Sequence, residues 1–256
     1  EVIYALLASS PTLWWLWAAV AMLLFTVLLS NLAPVLIFPL FFKYKPLENE
    51  DLIERLTLLA ESAGAKVQGV YAFDMSSKTV AANAAVMGLG NTRRIVLGDT
   101  LVDSFTTDEI ETVLAHELGH HVHKDIMFGI IIQSVITLVG FWIADMVMRW
   151  GIGVFGYTGL VDPAALPLFI VAMAVFGFVT TPLGNIWSRS REVMADRYAL
   201  ETTNKPEAFI NAMTRLANQN LAEAQPPAWV EFLLHSHPSI HRRVEMAQAY
   251  TASESA

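Results

Sequence analysis

The chain has 256 residues, 54% hydrophobic and only 16% charged, with a formal net charge of −8 and no cysteine. Soluble domains usually carry about a quarter charged residues, so this balance points to a membrane protein. The negative charge excludes a general nucleic-acid-binding surface. The missing cysteines exclude disulfides and thiolate zinc sites, leaving His, Asp and Glu as possible metal ligands.

The chain opens on Glu1 rather than Met, as a processed form or a fragment does. No basic stretch precedes the first apolar run, as a signal peptide would require. Residues 12–29 are uncharged and rich in Trp, Leu and Val; roughly 18 apolar residues suffice to cross a bilayer. Trp14, Trp15 and Trp17 sit at one end of the run, where an aromatic belt places them. Residues 32–42 read as a kinked or interfacial extension, because Pro34 and Pro39 interrupt a helix there. Lys43 and Lys45 end it.

Residues 46–125 look soluble. Residues 49–63 have apolar positions at helical spacing and stop at Gly64. Residues 67–73 and 94–97 read as strands, and residues 79–90 have room for another strand and a turn. Thr106 followed by Glu109 is a capping box, so a helix begins there. Residues 126–144 form the next spanning candidate, closed by Asp145 and Arg149. No Pro or Gly interrupts residues 120–128, so the spacing predicts one long helix running from the capping box into the span. Residues 164–181 form another candidate, with Pro182 and Gly184 at its exit, and residues 187–250 are polar-amphipathic and helical in pattern.

The chemistry sits in His116-Glu117-Leu118-Gly119-His120, an HExxH sequence. Residues four apart share one helix face, so two imidazoles can hold one zinc ion while Glu117 takes a proton from the water it activates. Gly119 leaves the helix thin on one side, open to close approach by another element. A catalytic zinc usually takes a third protein ligand. Glu192 and Asp196, four apart in Ser188–Asp196, offer one. Glu192 would complete a His2Glu set, and Asp196 would accept a hydrogen bond from a ligand imidazole, His116, fixing its tautomer. Alone, that pair reads as a solvated face paired with Arg189, Arg191 or Arg197; beside HExxH it reads as part of the site. Two candidate spans separate His120 from Glu192, and an even number of crossings returns the chain to the same side. His121 points away from the ligand face, and His123 reads as a solvated or interfacial residue. His237, before Pro238, reads either as an oxyanion stabiliser or as a loop histidine; His235 and His241 are left without a role.

The HELGHH block, the SRxxExxAD block and the terminal HPSxxxR block occur in that order. Together they resemble the membrane-bound metallopeptidases that include the CaaX prenyl endopeptidases and the HtpX-like quality-control proteases, family forty-eight, of gluzincin type. The resemblance covers about residues 46–250. It implies zinc ligands His116, His120 and Glu192, with Glu117 as general base. It implies that Asp196 supports a ligand, that His237 stabilises the transition state and that Arg243 lies near the site. Asn83 matches the start of an edge strand that pairs with an extended peptide, a form of β-augmentation. The chain departs from the prenyl endopeptidases in carrying one span, not several, before the catalytic region, and Ala85 stands where they carry an aromatic residue.

The expected fold is mainly α with a small β-sheet: an integral membrane protein with a zincin-like catalytic domain. Residues 1–45 are the N-terminal transmembrane segment and 46–125 the catalytic region with the HExxH helix. Residues 126–184 supply two transmembrane helices and 185–256 the C-terminal catalytic helices. One Zn2+ per chain, a peptide or protein substrate and the lipid bilayer are the expected partners; nucleic acid is not. The substrate is either a prenylated CaaX-type peptide or a damaged membrane protein. Lys43, Lys45, Lys124, Arg189 and Arg191 against Arg149 place the catalytic face in the cytoplasm. Two rival classes are a non-catalytic zinc-bearing membrane scaffold or receptor, and a transporter. A structural zinc site needs no base, and ionisable residues are few in the spans, which counts against both.

Overall fold

The computed structural model describes residues 1–88, 93–221 and 223–254, apart from the side chains of residues 31, 34, 35 and 254. In chain order the helices are α1 (Val2–Ser9), α2 (Trp14–Leu32), α3 (Phe38–Phe41), α4 (Glu50–Ser62), α5 (Asp99–Ser104), α6 (Thr107–Val122), α7 (Asp125–Phe155), α8 (Leu166–Thr203), α9 (Pro206–Gln219), α10 (Ala228–Leu234) and α11 (Ile240–Glu254). The strands are β1 (Tyr44–Pro46), β2 (Val70–Phe73), β3 (Ala84–Met87) and β4 (Arg94–Gly98). Contacts divide the chain into two units, Glu1–Ser30 with Met127–Gly184, and Asn31–Ile126 with Asn185–Ala256.

The first unit is built from helices whose apolar side chains largely face outward. Ile131, Val135, Ile170, Phe178 and Leu183 are among those more than half exposed. Such faces suit a lipid surrounding, and α7 and α8 are long and apolar enough to cross a membrane. The apolar stretch of α2, Trp14–Ser30, is shorter. Close packing between α7 and α8 uses glycine: a Cβ on Gly140 would lie 2.8 Å from the Phe176 ring, and one on Gly151 would strike Leu168. Trp14 is fully buried, edge-on to Phe141 and Phe169. Its Nε1 donates to Asp145 Oδ1 at 2.6 Å, and Arg149 Nε donates to Asp145 Oδ2 at 2.8 Å. Asp145 and Arg149 are therefore paired inside the helix. They neutralise each other within α7, which continues to Phe155.

One expectation is corrected. The capping-box helix and the first of these spans are not one helix. Lys124 adopts φ 56°, which breaks the chain between α6 and α7. α8 runs through Pro182 to Thr203 as one helix. The Thr180 and Thr181 hydroxyls donate to the Phe176 and Gly177 carbonyls at 2.9 and 2.7 Å, local hydrogen bonding of the kind that lets membrane helices tolerate proline.

The second unit holds the sheet, in order β1-β2-β4-β3. β2 and β4 are parallel; β1 and β3 run antiparallel to their neighbours. β1 lies just past the expected kinked segment and had no sequence signal, since Pro46 interrupts any alternation. β4 reads as a continuous apolar run because it is central and buried from Ile95 to Gly98. The turn expected within residues 79–90 falls partly on 89–92, outside the described residues. Asn49 caps α4 by accepting from the Leu52 N–H, and Thr106 and Glu109 form the reciprocal capping box on α6. α6 packs against α4, β3 and α9, and α11 against α9. Leu56, Ile95, Leu97, Leu114, Leu118 and Phe209 fill the core, so one face of α6 is fixed and its opposite turn faces the site.

Candidate metal and active site

α6 presents His116 and His120 on one face, as their spacing requires, with ring centroids 4.8 Å apart. Glu192 of α8 meets both. Its Oε2 lies 3.4 Å from His116 Nε2 and its Oε1 lies 3.4 Å from His120 Nε2. The approach of the two helices depends on Gly119: a Cβ there would stand 2.9 Å from Ala195 Cα. Ala195 lies between Glu192 and Asp196 on α8, so the glycine sets how near the carboxylates come to the imidazoles.

Asp196 is fully buried. Its Oδ1 lies 2.8 Å from His116 Nδ1, and Arg243 of α11 grips it with Nε on Oδ2 at 2.8 Å and Nη2 on Oδ1. A carboxylate on Nδ1 fixes the tautomer that leaves Nε2 as a lone pair. His120 has the same arrangement. Its Nδ1 lies 2.8 Å from Asp125 Oδ2, and Arg191 Nε donates to Asp125 Oδ1 at 2.6 Å. Asp125 was not found by sequence reasoning. It lies five residues past His120, off the helical face, and only the turn at Lys124 brings it back.

The donor set fits a divalent metal. Two Nε2 atoms and a carboxylate converge, each held by a partner on its far side. Ligands about 2.0–2.1 Å from a tetrahedral zinc stand roughly 3.4 Å from each other, as these do. Glu192 Oε2 is buried with no hydrogen-bond donor among the described residues. The carboxylates of the cluster favour positive charge on the imidazoles. Burial opposes protonation of His116, but the hydrogen bond to Asp196 and the nearby Glu192 carboxylate outweigh it and raise its pKa to about 9. Burial likewise pushes the Glu117 carboxyl above its ordinary value, partly offset by the two histidines. A carboxylate so raised is a better proton acceptor near neutral pH.

A cavity of about 670 Å³ opens on this cluster. It is lined by His116 and Glu117 on one side, Asn83 and Ala84 on another, and His237, Met213 and Leu216 beyond. Asn83 is exposed at the head of β3, the last strand in the sheet order, and its carbonyl accepts from the Gly98 N–H at 2.8 Å. His237 is 61% exposed, and its Nε2 lies 3.3 Å from Glu192 Oε1. Its loop is tied down by Arg189, whose Nη1 donates to the Glu231 and His235 carbonyls at 2.9 and 2.6 Å. Buried Glu231 accepts from the Ser239 N–H. Arg189 and Glu231 also went unnoticed in the sequence, where Arg189 read as a surface partner of Glu192 or Asp196.

Two of the other histidines, His123 and His241, have local partners. His123 Nδ1 lies 2.8 Å from the Gly119 carbonyl, and its ring stands edge-on to Tyr198. His241 Nε2 lies 3.2 Å from Glu245. Among the described residues, the group that could hold a metal is His116, His120 and Glu192.

Residues 46–251 match the sequence model of Peptidase family M48. The chain is 35% identical over 251 residues to the uncharacterized metalloprotease YhfN of Bacillus subtilis, covering 96% of this chain and 59% of that protein. It is 31% identical to CAAX prenyl protease 1 of Saccharomyces cerevisiae, covering 85% of this chain and 52% of that one. The crystal structure of S. mikatae Ste24p superposes with a TM-score of 0.85 at 27% identity, covering 96% of this chain and 61% of that one. The chain therefore spans 52–61% of the length of these relatives.

Proposed function

The chain belongs to peptidase family M48, and on that premise we propose that it is a membrane-embedded zinc endopeptidase with Glu117 as general base. The observation that carries this reading is the convergence of His116, His120 and Glu192 at 3.4 Å beside a carboxylate of raised pKa. One zinc per chain, when bound, supplies Lewis acidity that brings the pKa of water to about 7 and polarises a carbonyl. Glu117 takes the proton of the attacking water and returns it to the leaving amine. His237 donates a hydrogen bond to the oxyanion that develops on the carbonyl, and its exposure to the cleft suits that role. Asp196, gripped by Arg243, holds the His116 ring. Asn83 and the free edge of β3 bind the peptide backbone in extended form.

The substrate we propose is a peptide delivered at a membrane, with a prenylated CaaX-type terminus preferred over a damaged membrane protein. That preference rests on the relative named CAAX prenyl protease 1. Residues 1–45 and 126–184 form the membrane part, and 46–125 with 185–256 the catalytic part, on the cytoplasmic side. Because the chain has no native cysteine, single cysteines at Lys45 and Arg149 can be labelled from either side to check this orientation.

Glu117→Gln tests the reading directly. Cleavage of a prenylated peptide should fall by about 10²–10⁴-fold while zinc content stays at that of the parent. Cleavage at a near-parental rate would remove Glu117 from the chemistry. Mass spectrometry of products from the parent and variant identifies the bond cut.

A further inference from the structure

His116 and His120 are supported in parallel ways, and only the support of His116 was expected. We infer that Asp125 and Arg191 form a second orienting relay, in which Asp125 fixes the tautomer and ring direction of His120 toward the metal. This inference rests on the reading of His116, His120 and Glu192 as a metal site.

Asp125 is 8% exposed, so its charge has lost most of its water and needs partners. It has them on both oxygens. Oδ2 lies 2.8 Å from His120 Nδ1, and Oδ1 receives Arg191 Nε at 2.6 Å and Nη2 at 2.5 Å. Arg191 Nη2 also reaches the His123 carbonyl at 3.4 Å. The arginine thus holds both Asp125 and the turn that delivers it. That turn is specific. His123 N–H bonds the Gly119 carbonyl and Lys124 N–H the His121 carbonyl, after which Lys124 takes its positive φ. A β-branched residue at position 124 would strain this conformation. Without the reversal, Asp125 would continue round the helix away from the imidazole.

The comparison with Asp196 separates positioning from mere charge balance. Both carboxylates meet Nδ1 at 2.8 Å and leave Nε2 facing Glu192. Both are held by an arginine whose Nε points at the carboxylate. A simple neutralising ion pair between Asp125 and Arg191 would not need one oxygen kept for the imidazole. Asp125 is a positioning residue: it touches neither the metal position nor the cleft lining.

The test is metal binding. Parent, Asp125→Ala, Asp125→Asn and Arg191→Met are purified in detergent, stripped and titrated with Zn2+ against a chromophoric chelator. Secondary structure is checked by circular dichroism in the stripped state. Loss of an outer partner of a ligand histidine typically costs 10–100-fold in affinity, and that loss is expected for Asp125→Ala. Asp125→Asn should lose less, since its amide oxygen can still accept from Nδ1. Arg191→Met should lose least, because Asp125 stays. The Co2+-substituted proteins provide a readout that loss of fold stability alone does not move. The d–d bands should shift in Asp125→Ala and stay parental in Arg191→Met. Parental affinity and parental Co2+ bands in Asp125→Ala overturn the relay. If Asp125→Ala does not fold, Asp125→Asn decides by the same two measurements. A parent chain that binds no metal overturns the site itself, which is a separate outcome from a metal-binding parent whose Asp125 variants bind equally well.

Discussion

The two units handle apolar and polar side chains in opposite ways. In the membrane unit the large apolar side chains face outward, and buried polar contact gathers at Trp14, Asp145 and Arg149. In the catalytic unit Leu56, Leu114 and Phe209 are interior, and the buried charges Asp125, Glu192, Asp196 and Arg243 surround the site. The first can tolerate change on its outer faces because lipid and a neighbouring side chain are chemically alike. The second cannot, because each buried charge depends on a specific partner.

The contrast can be tested by stability measurements in detergent, the largest effect first. Asp196→Ala leaves Arg243 buried without its carboxylate and should destabilise the chain by about 3–5 kcal/mol, read as a lower denaturation midpoint. An unchanged midpoint would break the claim that the catalytic unit depends on its charge network. Gly119→Val forces α6 and α8 apart, since the added Cβ already stands 2.9 Å from Ala195 Cα. A cost of about 1–3 kcal/mol is expected, with weaker zinc binding because Glu192 moves away from the two imidazoles. Trp14→Phe removes one donor from Asp145 but leaves Arg149, so about 1 kcal/mol should be lost. Phe178→Ala alters a side chain 76% exposed on α8; the midpoint should stay within about 0.5 kcal/mol of the parent. A large loss there would mean protein, not lipid, covers that face.

The smallest effect is a pH dependence. Asp108 is held below its ordinary pKa by hydrogen bonds from Lys205 and Arg55. A carboxyl depressed in the folded state contributes stability above its unfolded pKa and loses it as pH falls through the folded value. Asp108→Asn should therefore narrow the gap between stability at neutral and at acid pH. The change should be slight, because Asp108 is half exposed and its partners are solvated. An identical acid limb in the variant would show that the pair contributes nothing.

Local rules carried much of the reading. The cap at Thr106, the apolar period of α4 and the strands β2 and β4 follow from short-range geometry. The joint between α6 and α7 did not, because no Gly or Pro marks it. Lys124 takes a positive φ there, and Arg191 bonds the Asp125 carboxylate just beyond the turn. Pro182, by contrast, lies inside α8. A helix-breaking residue in water is tolerated here, where hydroxyls one turn back bond neighbouring carbonyls.

The sequence by itself determined that His116, Glu117 and His120 belong together, because a helix places residues four apart on one face whatever surrounds it. It also determined the apolar runs, because hydropathy is a property of composition. Only the tertiary structure decided how the site is completed. His116 and Asp196 are 80 residues apart and Arg243 is 127 from His116. Their meeting depends on the close packing of α6 on α8 at Gly119 and on α11 closing over α9. Such contacts are set by side-chain volume and partner geometry across the fold, which no local pattern records.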